Sequence, residues 1–186
     1  MSGFAALRAA VGGCALGAMV IGVAATAEAA NSPFVRYALR SSNVAQRLVA
    51  THNAERAAAR VAPMVWDAQL AAGAIAHAQF LAASGRFEHS NRRARPGVGE
   101  NLWMGSQGAF SPEQMIGNWA SEKRWFRPGV FPNVSRNGNW AQVAHYTQMI
   151  WPTTTRVGCG LASARGRDVL VCRYSPKGNV DGRPVI

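Results

Sequence analysis

The chain has 186 residues, of which 48% are hydrophobic and 16% are charged, so it can form one domain with a buried core and is too apolar for an intrinsically disordered protein. Its 20 Lys and Arg residues outnumber nine Asp and Glu residues, which gives a net charge of +11. This excess predicts attraction to an anionic partner such as nucleic acid, lipid head groups or a cell-envelope polymer.

The first 29 residues have the pattern of a secretory signal peptide. A short segment ending at Arg8 precedes an apolar run over residues 9–25, and Ala27-Glu28-Ala29 fits the small-residue pattern of a cleavage site. We therefore expect residues 1–29 to be removed on export to the periplasm or the cell exterior, leaving no transmembrane segment. Export argues against nucleic acid as a partner and favours an anionic cell-envelope surface.

The first half of the mature chain is predicted to be helical. Residues 30–43 lack clear periodicity and are expected to form an extended lead. A helix should begin between residues 41 and 43, because apolar residues then recur at helical spacing. A second helix is predicted from Asp67, a good N-cap, to Gly85, a good C-terminal stop.

The second half is predicted to mix loops, one helix and strands. Ser111-Pro112-Glu113-Gln114 has the pattern of a capping box with proline at the first helical position. Short strands are expected at residues 101–104 and 147–151. Because helices and strands do not alternate regularly, the order favours an α+β domain with an antiparallel sheet covered by helices.

Two cysteines are expected to form a disulfide. Removal of Cys14 with the signal peptide leaves Cys159 and Cys172 in an oxidising compartment. Residues 156–164 and 168–174 read as two strands, and a two-residue turn at Arg165-Gly166 would place the two cysteines directly opposite each other. Two buried free thiols are the alternative.

Several ordered motifs extend over residues 45–180 and together resemble the CAP superfamily, which includes cysteine-rich secretory proteins, antigen 5 and plant pathogenesis-related proteins and is defined by the SCP domain. The motifs are HNxxR at residues 52–56, GENLW at 99–103, WxxE at 119–122, HYTQMIW at 145–151, VGCG at 157–160 and VCRYSPKGN at 171–179. The short signal peptide and the lack of organellar or multi-domain features favour a bacterial member. We expect the domain to span residues 44–182.

The resemblance implies a three-layer α-β-α sandwich and a large cleft that contains two His and two Glu. Matching the motifs residue by residue assigns Glu100 from GENLW, Glu122 from WxxE and His145 from HYTQ. The remaining histidine is His89, which is followed by Ser90 in the only His-Ser pair of the chain.

Three interpretations of this cluster remain open. Two neutral imidazoles, His89 and His145, can ligate zinc or another divalent metal while the carboxylates orient them. The same four side chains can instead form a closed structural network. A hydrolase acting on peptide or envelope polymer would use Glu100, Glu122 or the hydroxyl of Ser90 for catalysis. A ligand-binding module is the preferred function, with a lipid or sterol carrier as a further alternative, and the ligand is a lipid, a glycan or a peptide.

Other aromatic and basic residues lie near the predicted cleft. Trp125 and Trp140 flank a Gly/Pro-rich loop and are candidates for lining a ligand groove. The basic run at residues 92–95 directly precedes the GENLW motif and is a candidate contact for an anion. The sequence leaves open whether His52 and Asn53 serve the helix or a partner.

Overall fold

The structure is a computed structural model, which describes the backbone from Pro33 and the side chains from Asn43, in both cases through Ile186. The predicted signal peptide, residues 1–29, lies outside the described residues. Residues Tyr37–Ile186 form one compact unit. In the part of the chain described here, no helix combines the length and the apolar character needed to span a bilayer.

The described residues form four α-helices and four β-strands. The helices are α1 (Pro33–Ala58), α2 (Ala68–Ser84), α3 (Pro112–Ala120) and α4 (Ala144–Met149). The strands are β1 (Val65–Trp66), β2 (Gly99–Ser106), β3 (Arg156–Ala164) and β4 (Arg167–Ser175). Short 3-10 helices occupy Arg92–Ala94, Ser121–Arg124 and Trp140–Val143.

The strands form one sheet in the order β1-β3-β4-β2. Strand β4 is antiparallel to both of its neighbours, β2 and β3, whereas the two-residue strand β1 pairs in parallel with β3. The predicted antiparallel sheet is therefore confirmed, with a short parallel strand added at one edge. The register places Glu100 of β2 beside Arg173 of β4.

Helices cover both faces of the sheet, which confirms the predicted α-β-α sandwich. On one face, Ala74, Ala78 and Leu81 of α2 join the core formed by alternate residues of β2 and β4. On the other face, Leu48 of α1 and Trp119 of α3 pack over the opposite set of strand side chains. Because successive strand residues point to opposite faces, each layer receives every second residue.

Helix α2 begins and ends at the predicted caps and lies close to the sheet. Asp67 accepts hydrogen bonds from the amides of Gln69 and Leu70, both at 2.9 Å, and Gly85 ends the helix in the left-handed conformation. Gly158 and Gly160 of β3 face α2, and a Cβ atom at either position would overlap the helix backbone. The missing side chains allow this close packing.

The predicted capping box of α3 is confirmed. The amide of Gln114 donates to Ser111 Oγ at 3.3 Å, and the amide of Ser111 donates to Gln114 Oε1 at 2.7 Å. Because the 3-10 helix Ser121–Arg124 follows α3 directly, this start also sets the position of Glu122.

The β3–β4 hairpin confirms the predicted turn and disulfide. Arg165 and Gly166 both have positive φ angles, as in a type I′ turn, and Cys159 pairs with Cys172 across the hairpin. The cysteine Cα atoms are 4.1 Å apart, close to the spacing of a non-hydrogen-bonded pair, and the two sulfurs are bonded.

Three predicted boundaries or elements differ from the structure. Helix α1 begins at Pro33, within the segment that we expected to be extended. Strand β2 is longer than residues 101–104 because it pairs with β4 along its whole length. The strand predicted at residues 147–151 is wrong: Ala144–Met149 is helical. The β-branched and aromatic residues there are buried on several sides, and burial overrides their local strand preference.

The close contact between α2 and β3 predicts opposite effects of two glycine substitutions. Gly160→Ala should lower the free energy of unfolding by about 2 kcal/mol, because a Cβ would force the backbone of α2 away from the sheet. Gly117→Ala in α3 is the control, since an added Cβ meets nothing within 4 Å there. That substitution should raise stability by up to about 1 kcal/mol through helix propensity. Urea unfolding of both variants measures the difference, and equal effects would contradict the tight packing at β3.

Candidate functional site

A cleft of about 890 Å³ is lined by residues of β2, of α4, of the 3-10 helices Arg92–Ala94 and Trp140–Val143, and of adjoining loops. His89, Glu100 and His145 line it, whereas Glu122 is not among the lining residues and holds His145 from behind. The lining also includes three basic residues, Arg92, Arg95 and Lys177, and two aromatic residues, Phe131 and Trp140.

His89 is held by the carboxylate of Glu100. The Nδ1 atom of His89 lies 3.0 Å from Glu100 Oε1, and the imidazole side chain is 52% exposed while the carboxylate is fully buried. The amide and hydroxyl of Ser90 also donate to the two Glu100 oxygens, at 2.9 and 2.7 Å. Glu100 therefore fixes the loop that carries His89 into the cleft.

The carboxylate of Glu100 stays ionised although it is buried. Arg173 Nε lies 3.3 Å from Glu100 Oε2, and an Arg95 amino group lies 3.6 Å from Oε1. Burial acts to raise the pKa of Glu100, but the hydrogen bonds from His89 and Ser90 and the charge of Arg95 outweigh it and lower the pKa to about 2. The carboxylate is thus an acceptor at any physiological pH.

Sequence reasoning did not find Arg173 as part of the site, and it predicted Arg95 only as one member of a basic run beside the cleft. Arg173 reaches Glu100 only because β2 and β4 pair in a register that places them side by side. Its guanidinium also needs the space left by Gly73 of α2, where a Cβ would overlap it. The local sequence carries no signal of this contact between strands and helix.

Glu122 orients His145 and caps the helix on which that residue lies. One carboxylate oxygen lies 2.6 Å from His145 Nδ1, and the other accepts from the amides of His145 and Tyr146, both at 3.0 Å. These amides belong to the first turn of α4, where backbone N–H groups lack partners within the helix. Val143, the N-cap residue, supplies no side-chain bond, so Glu122 performs that role.

Trp119 and Glu122, the two defining residues of the WxxE motif, both contact the imidazole of His145. The ring of Trp119 stacks on His145 with centroids 5.9 Å apart and planes at 14°. The Trp119 indole donates to the carbonyl of Leu102 at 3.1 Å, which holds it on β2. His145 is therefore fixed by stacking on one side and by a carboxylate at its edge.

The two imidazoles share one protonation pattern. A carboxylate accepts hydrogen bonds, so Nδ1 of His89 and of His145 carries the proton and donates it. Neither Nε2 atom has a hydrogen-bond partner among the side chains that the structure describes. In a neutral imidazole this leaves the Nε2 lone pair available to a metal or a donor. Within residues 43–186, however, no group of three or more His, Cys, Asp or Glu side chains is arranged to hold a metal ion.

The hydroxyl of Ser90 makes no direct hydrogen bond to an imidazole among the described residues. It donates to Glu100 Oε2 and accepts from Arg95 Nε at 2.9 Å and from Arg173 at 3.3 Å. A nucleophilic serine instead donates to a histidine base. This geometry does not favour the serine-hydrolase alternative.

Some of the other residues predicted near the cleft line it in the structure, and others do not. Trp140 is 44% exposed, packs edge-on against Phe131 and lines the cleft. Trp125 lies under Arg124 and is not a lining residue. Of the basic run, Arg92 lines the cleft with its side chain exposed, while Arg95 is engaged with Glu100, Ser90 and a carbonyl.

His52 serves the fold and links α1 to the cleft. Its Nδ1 faces the carbonyl of Leu48 at 2.8 Å and its Nε2 accepts from the Tyr174 hydroxyl at 2.9 Å. Asn101 donates to the same hydroxyl and to the carbonyl of His145, at 3.2 and 3.1 Å. This buried chain of hydrogen bonds connects α1, β4, β2 and α4.

Arg56, the last residue of the HNxxR motif, is buried against backbone carbonyls. Its guanidinium donates to the carbonyls of Ala62, Met149, Trp151 and Thr154 at 2.6 to 2.9 Å. Met149 is the last residue of α4, so a positive charge lies at the negative end of that helix. Burial lowers the pKa of Arg56 to about 10, which still leaves it charged at neutral pH.

Comparison with known proteins agrees with this fold and these motifs. The family model described as CAP, the cysteine-rich secretory protein family, matches residues 49–174. The pathogenesis-related protein PR-1 type of Sambucus nigra is 34% identical over 150 residues, with 80% of this chain and 85% of the relative covered. The chain belongs to the CAP family.

Further relatives and solved structures show the same similarity. The Ancylostoma secreted protein of Ancylostoma caninum is 34% identical over 137 residues, covering 69% of this chain and 31% of the relative. The crystal structure of Na-ASP-1 superposes with a TM-score of 0.66 at 27% identity, over 76% of this chain and 41% of that one. These similarities confirm the fold and the family. Relatives from plants and a nematode leave the expected bacterial source as a prediction.

The capping role of Glu122 predicts a loss of stability that a neighbouring ion pair would not show. Glu122→Ala should lower the free energy of unfolding by about 2 kcal/mol or more, because two helix amides and His145 Nδ1 lose their acceptor. Glu55→Ala is matched to it, since Glu55 is similarly buried and pairs with exposed Lys123 at 3.2 Å. That surface pair should contribute less than about 1 kcal/mol. Chemical denaturation that found equal losses would contradict the cap.

The burial of His52 predicts that stability falls as the pH drops below about 6.5. Burial is the main cause that lowers the pKa of His52 to about 4, the hydrogen bond to Leu48 opposes it, and the charge of Arg56 adds to it. Unfolded histidine has a pKa of about 6.5, so the unfolded state binds a proton that the folded state does not. The stabilisation is complete above that pH and is lost towards pH 4, with a maximum of about 3 kcal/mol.

Urea unfolding at about pH 7 and about pH 4.5 measures this loss of stability. The lower of these two pH values is still above the pKa of Glu100, which is about 2. His52→Gln keeps a donor and an acceptor without a titratable ring, so its stability should change little between the two pH values. His77→Gln is the control and should retain the pH dependence of the parent. Unchanged pH dependence in His52→Gln would exclude His52 as its origin.

Proposed function

We propose that this CAP protein is a secreted ligand-binding module whose cleft holds a divalent metal ion, such as zinc, through Nε2 of His89 and His145. The observation that carries this proposal is the shared arrangement of the two imidazoles: each has its Nδ1 held by a carboxylate, and each lines the same cleft. Metal-binding histidines typically have this partner on the second nitrogen.

The proposed donor set would leave a bound metal with open coordination positions. Two imidazoles are fewer than the three protein ligands of a typical catalytic zinc site, so water or a bound ligand would supply the remaining donors. Glu100 and Glu122 would keep the imidazoles in the required tautomer, and a bound metal would supply a positive charge for an acceptor group of the ligand.

The lining of the cleft favours a ligand with an anionic group and an apolar face. Arg92 and Lys177 provide two cations without an ion-pair partner among the described residues, against one such carboxylate in the lining, Asp181. Trp140 presents an exposed ring on which a sugar, a lipid or a side chain can pack. The engagement of Ser90 with Glu100 supports a binding module over a serine hydrolase.

Export of the protein is part of the proposal. The predicted signal peptide over residues 1–29 and the cross-strand disulfide between Cys159 and Cys172 both favour a periplasmic or extracellular location. A bacterial source remains our prediction from the sequence.

Calorimetric titration of the exported protein with zinc tests the cleft. We expect binding by the parent and a loss of affinity of at least about tenfold in the double variant His89→Ala/His145→Ala. Glu122→Gln should weaken binding by about tenfold, because it removes the charged partner of His145. His77→Ala is the control and should bind as the parent does.

Thermal melting of the same variants separates metal binding from a structural network. If the parent binds no zinc while the double variant melts several degrees lower, the cluster is structural and the proposed function is wrong. Unchanged zinc binding by the double variant would place the metal elsewhere and would also overturn the proposal.

A further inference from the structure

The outer face of α2 is unusually free of charge for an exposed helix. The 17 residues of Ala68–Ser84 include no Asp, Glu, Lys or Arg. Ala72, Ala76, Phe80 and Ala83 are exposed, and their spacing of four, eight and eleven residues places them on one side of the helix, away from the sheet. A helix at a protein surface normally carries charged or polar residues there.

Two phenylalanines project from the C-terminal half of this face. Phe80 is 47% exposed and Phe87 is 54% exposed. Arg86 lies 6.0 Å from the centroid of the Phe80 ring, and the carbonyl of Glu88 lies 3.0 Å from His77 Nε2. The residues on either side of Phe87 therefore contact the same stretch of α2, which keeps the backbone at Phe87 close to the end of this helix.

Three exposed arginines surround this end of the helix. Arg86 is bound over Phe80, and Arg165 Nη1 lies 3.6 Å from the position of a Cβ at Gly85. Arg165 and Arg167 border a small cavity of about 240 Å³ whose apolar lining includes Leu81. The remaining apolar groups of that cavity are Ala82, Met104, Ala164 and Val169.

The acidic residues of this region offset one of the three arginines and leave Arg165 and Arg167 without a carboxylate partner among the described residues. Glu88 pairs with Arg86 at 2.9 Å. Asp168 is 6% exposed and is engaged by Ser163 and by the amide of Gly108. The end of α2 thus combines exposed aromatic rings with a positive rim.

We propose that this surface, the α2 face, docks on an anionic lipid bilayer. We define the α2 face as the exposed residues Ala72, Ala76, Phe80, Ala83 and Phe87 with the rim Arg86, Arg165 and Arg167. Phenyl rings partition into the boundary between head groups and acyl chains, and the arginines pair with lipid phosphates. A protein partner would be expected to meet charges of both signs and hydrogen-bonding groups, whereas the free charges here are all positive.

Docking by this face has a consequence for the cleft. The chain continues from Phe87 directly to His89, so the start of the loop that carries the His89 imidazole would lie next to the bilayer. The α2 face is separate from the proposed metal ligands, so either proposal can fail without the other.

Vesicle co-sedimentation of the protein recovered after export tests the α2 face. We expect binding to phosphatidylcholine vesicles that contain about one third phosphatidylglycerol, and about tenfold weaker binding to phosphatidylcholine alone. Phe80→Ser/Phe87→Ser should weaken binding to the anionic vesicles by about tenfold. Raising the salt from about 0.1 M to about 0.5 M should weaken it further, because the rim acts through screened charges.

A charge-matched pair of variants separates this face from the net charge of the chain. Arg86→Gln/Arg165→Gln/Arg167→Gln should remove the preference for anionic vesicles. Arg60→Gln/Arg127→Gln/Arg183→Gln removes the same charge at other exposed positions and should retain most of the binding. Melting temperatures and zinc titrations of all variants confirm that fold and cleft are intact.

Four results would overturn the proposal. The first is that the parent does not bind anionic vesicles, and the second is that both triple variants lose binding equally, which means that net charge alone is responsible. The third is that binding is the same for both lipid compositions and insensitive to Phe80→Ser/Phe87→Ser, as an uncleaved apolar N-terminus would cause. The fourth is that the parent binds no vesicles and is a dimer that these two substitutions dissociate, which makes the α2 face a contact between copies.

Discussion

A buried carboxylate stays charged only where cations and hydrogen-bond donors replace water, and Glu100 is the residue where this protein meets that requirement. Arg173 provides one cation from the neighbouring strand and Arg95 provides another from the loop, while Ser90 and His89 donate the remaining bonds. Loss of either arginine would leave the buried charge of Glu100 less well compensated. The register of β2 on β4, the path of the loop after α2 and the orientation of His89 therefore depend on one another.

The opposite side of the cleft depends on α4, a helix too short to be stable alone. Glu122 satisfies the amides at its start, and Arg56 binds carbonyls at its end and in the turn that follows. His52 and Asn101 link this helix to the sheet through buried hydrogen bonds. His145 is thus held in place by contacts from other elements, because its own six-residue helix is too short to be stable alone.

The net charge of the protein is +11, and the contacts of its acidic residues show which basic side chains remain without a partner. Most acidic side chains of the described residues are engaged: Glu55 with Lys123, Glu113 with Arg47, and Glu100 and Glu122 inside the cleft walls. Many arginines have no such partner and remain on the surface. The positive excess follows from 20 basic residues against nine acidic ones, and the ion pairs decide only where uncompensated cations remain, which includes the cleft and the end of α2.

Local signals in the amino-acid sequence were sufficient for the caps of α2 and α3, for the turn at Arg165-Gly166 and hence for the pairing of Cys159 with Cys172, because each depends on residues a few positions apart. The motifs also identified His89, Glu100, Glu122 and His145 through family resemblance. The helical state of residues 144–149, the parallel strand β1, and the roles of Arg56, Arg95 and Arg173 depended on contacts between segments distant in the chain. Such contacts are set by strand register, burial and the space left by residues such as Gly73, and no local pattern encodes them.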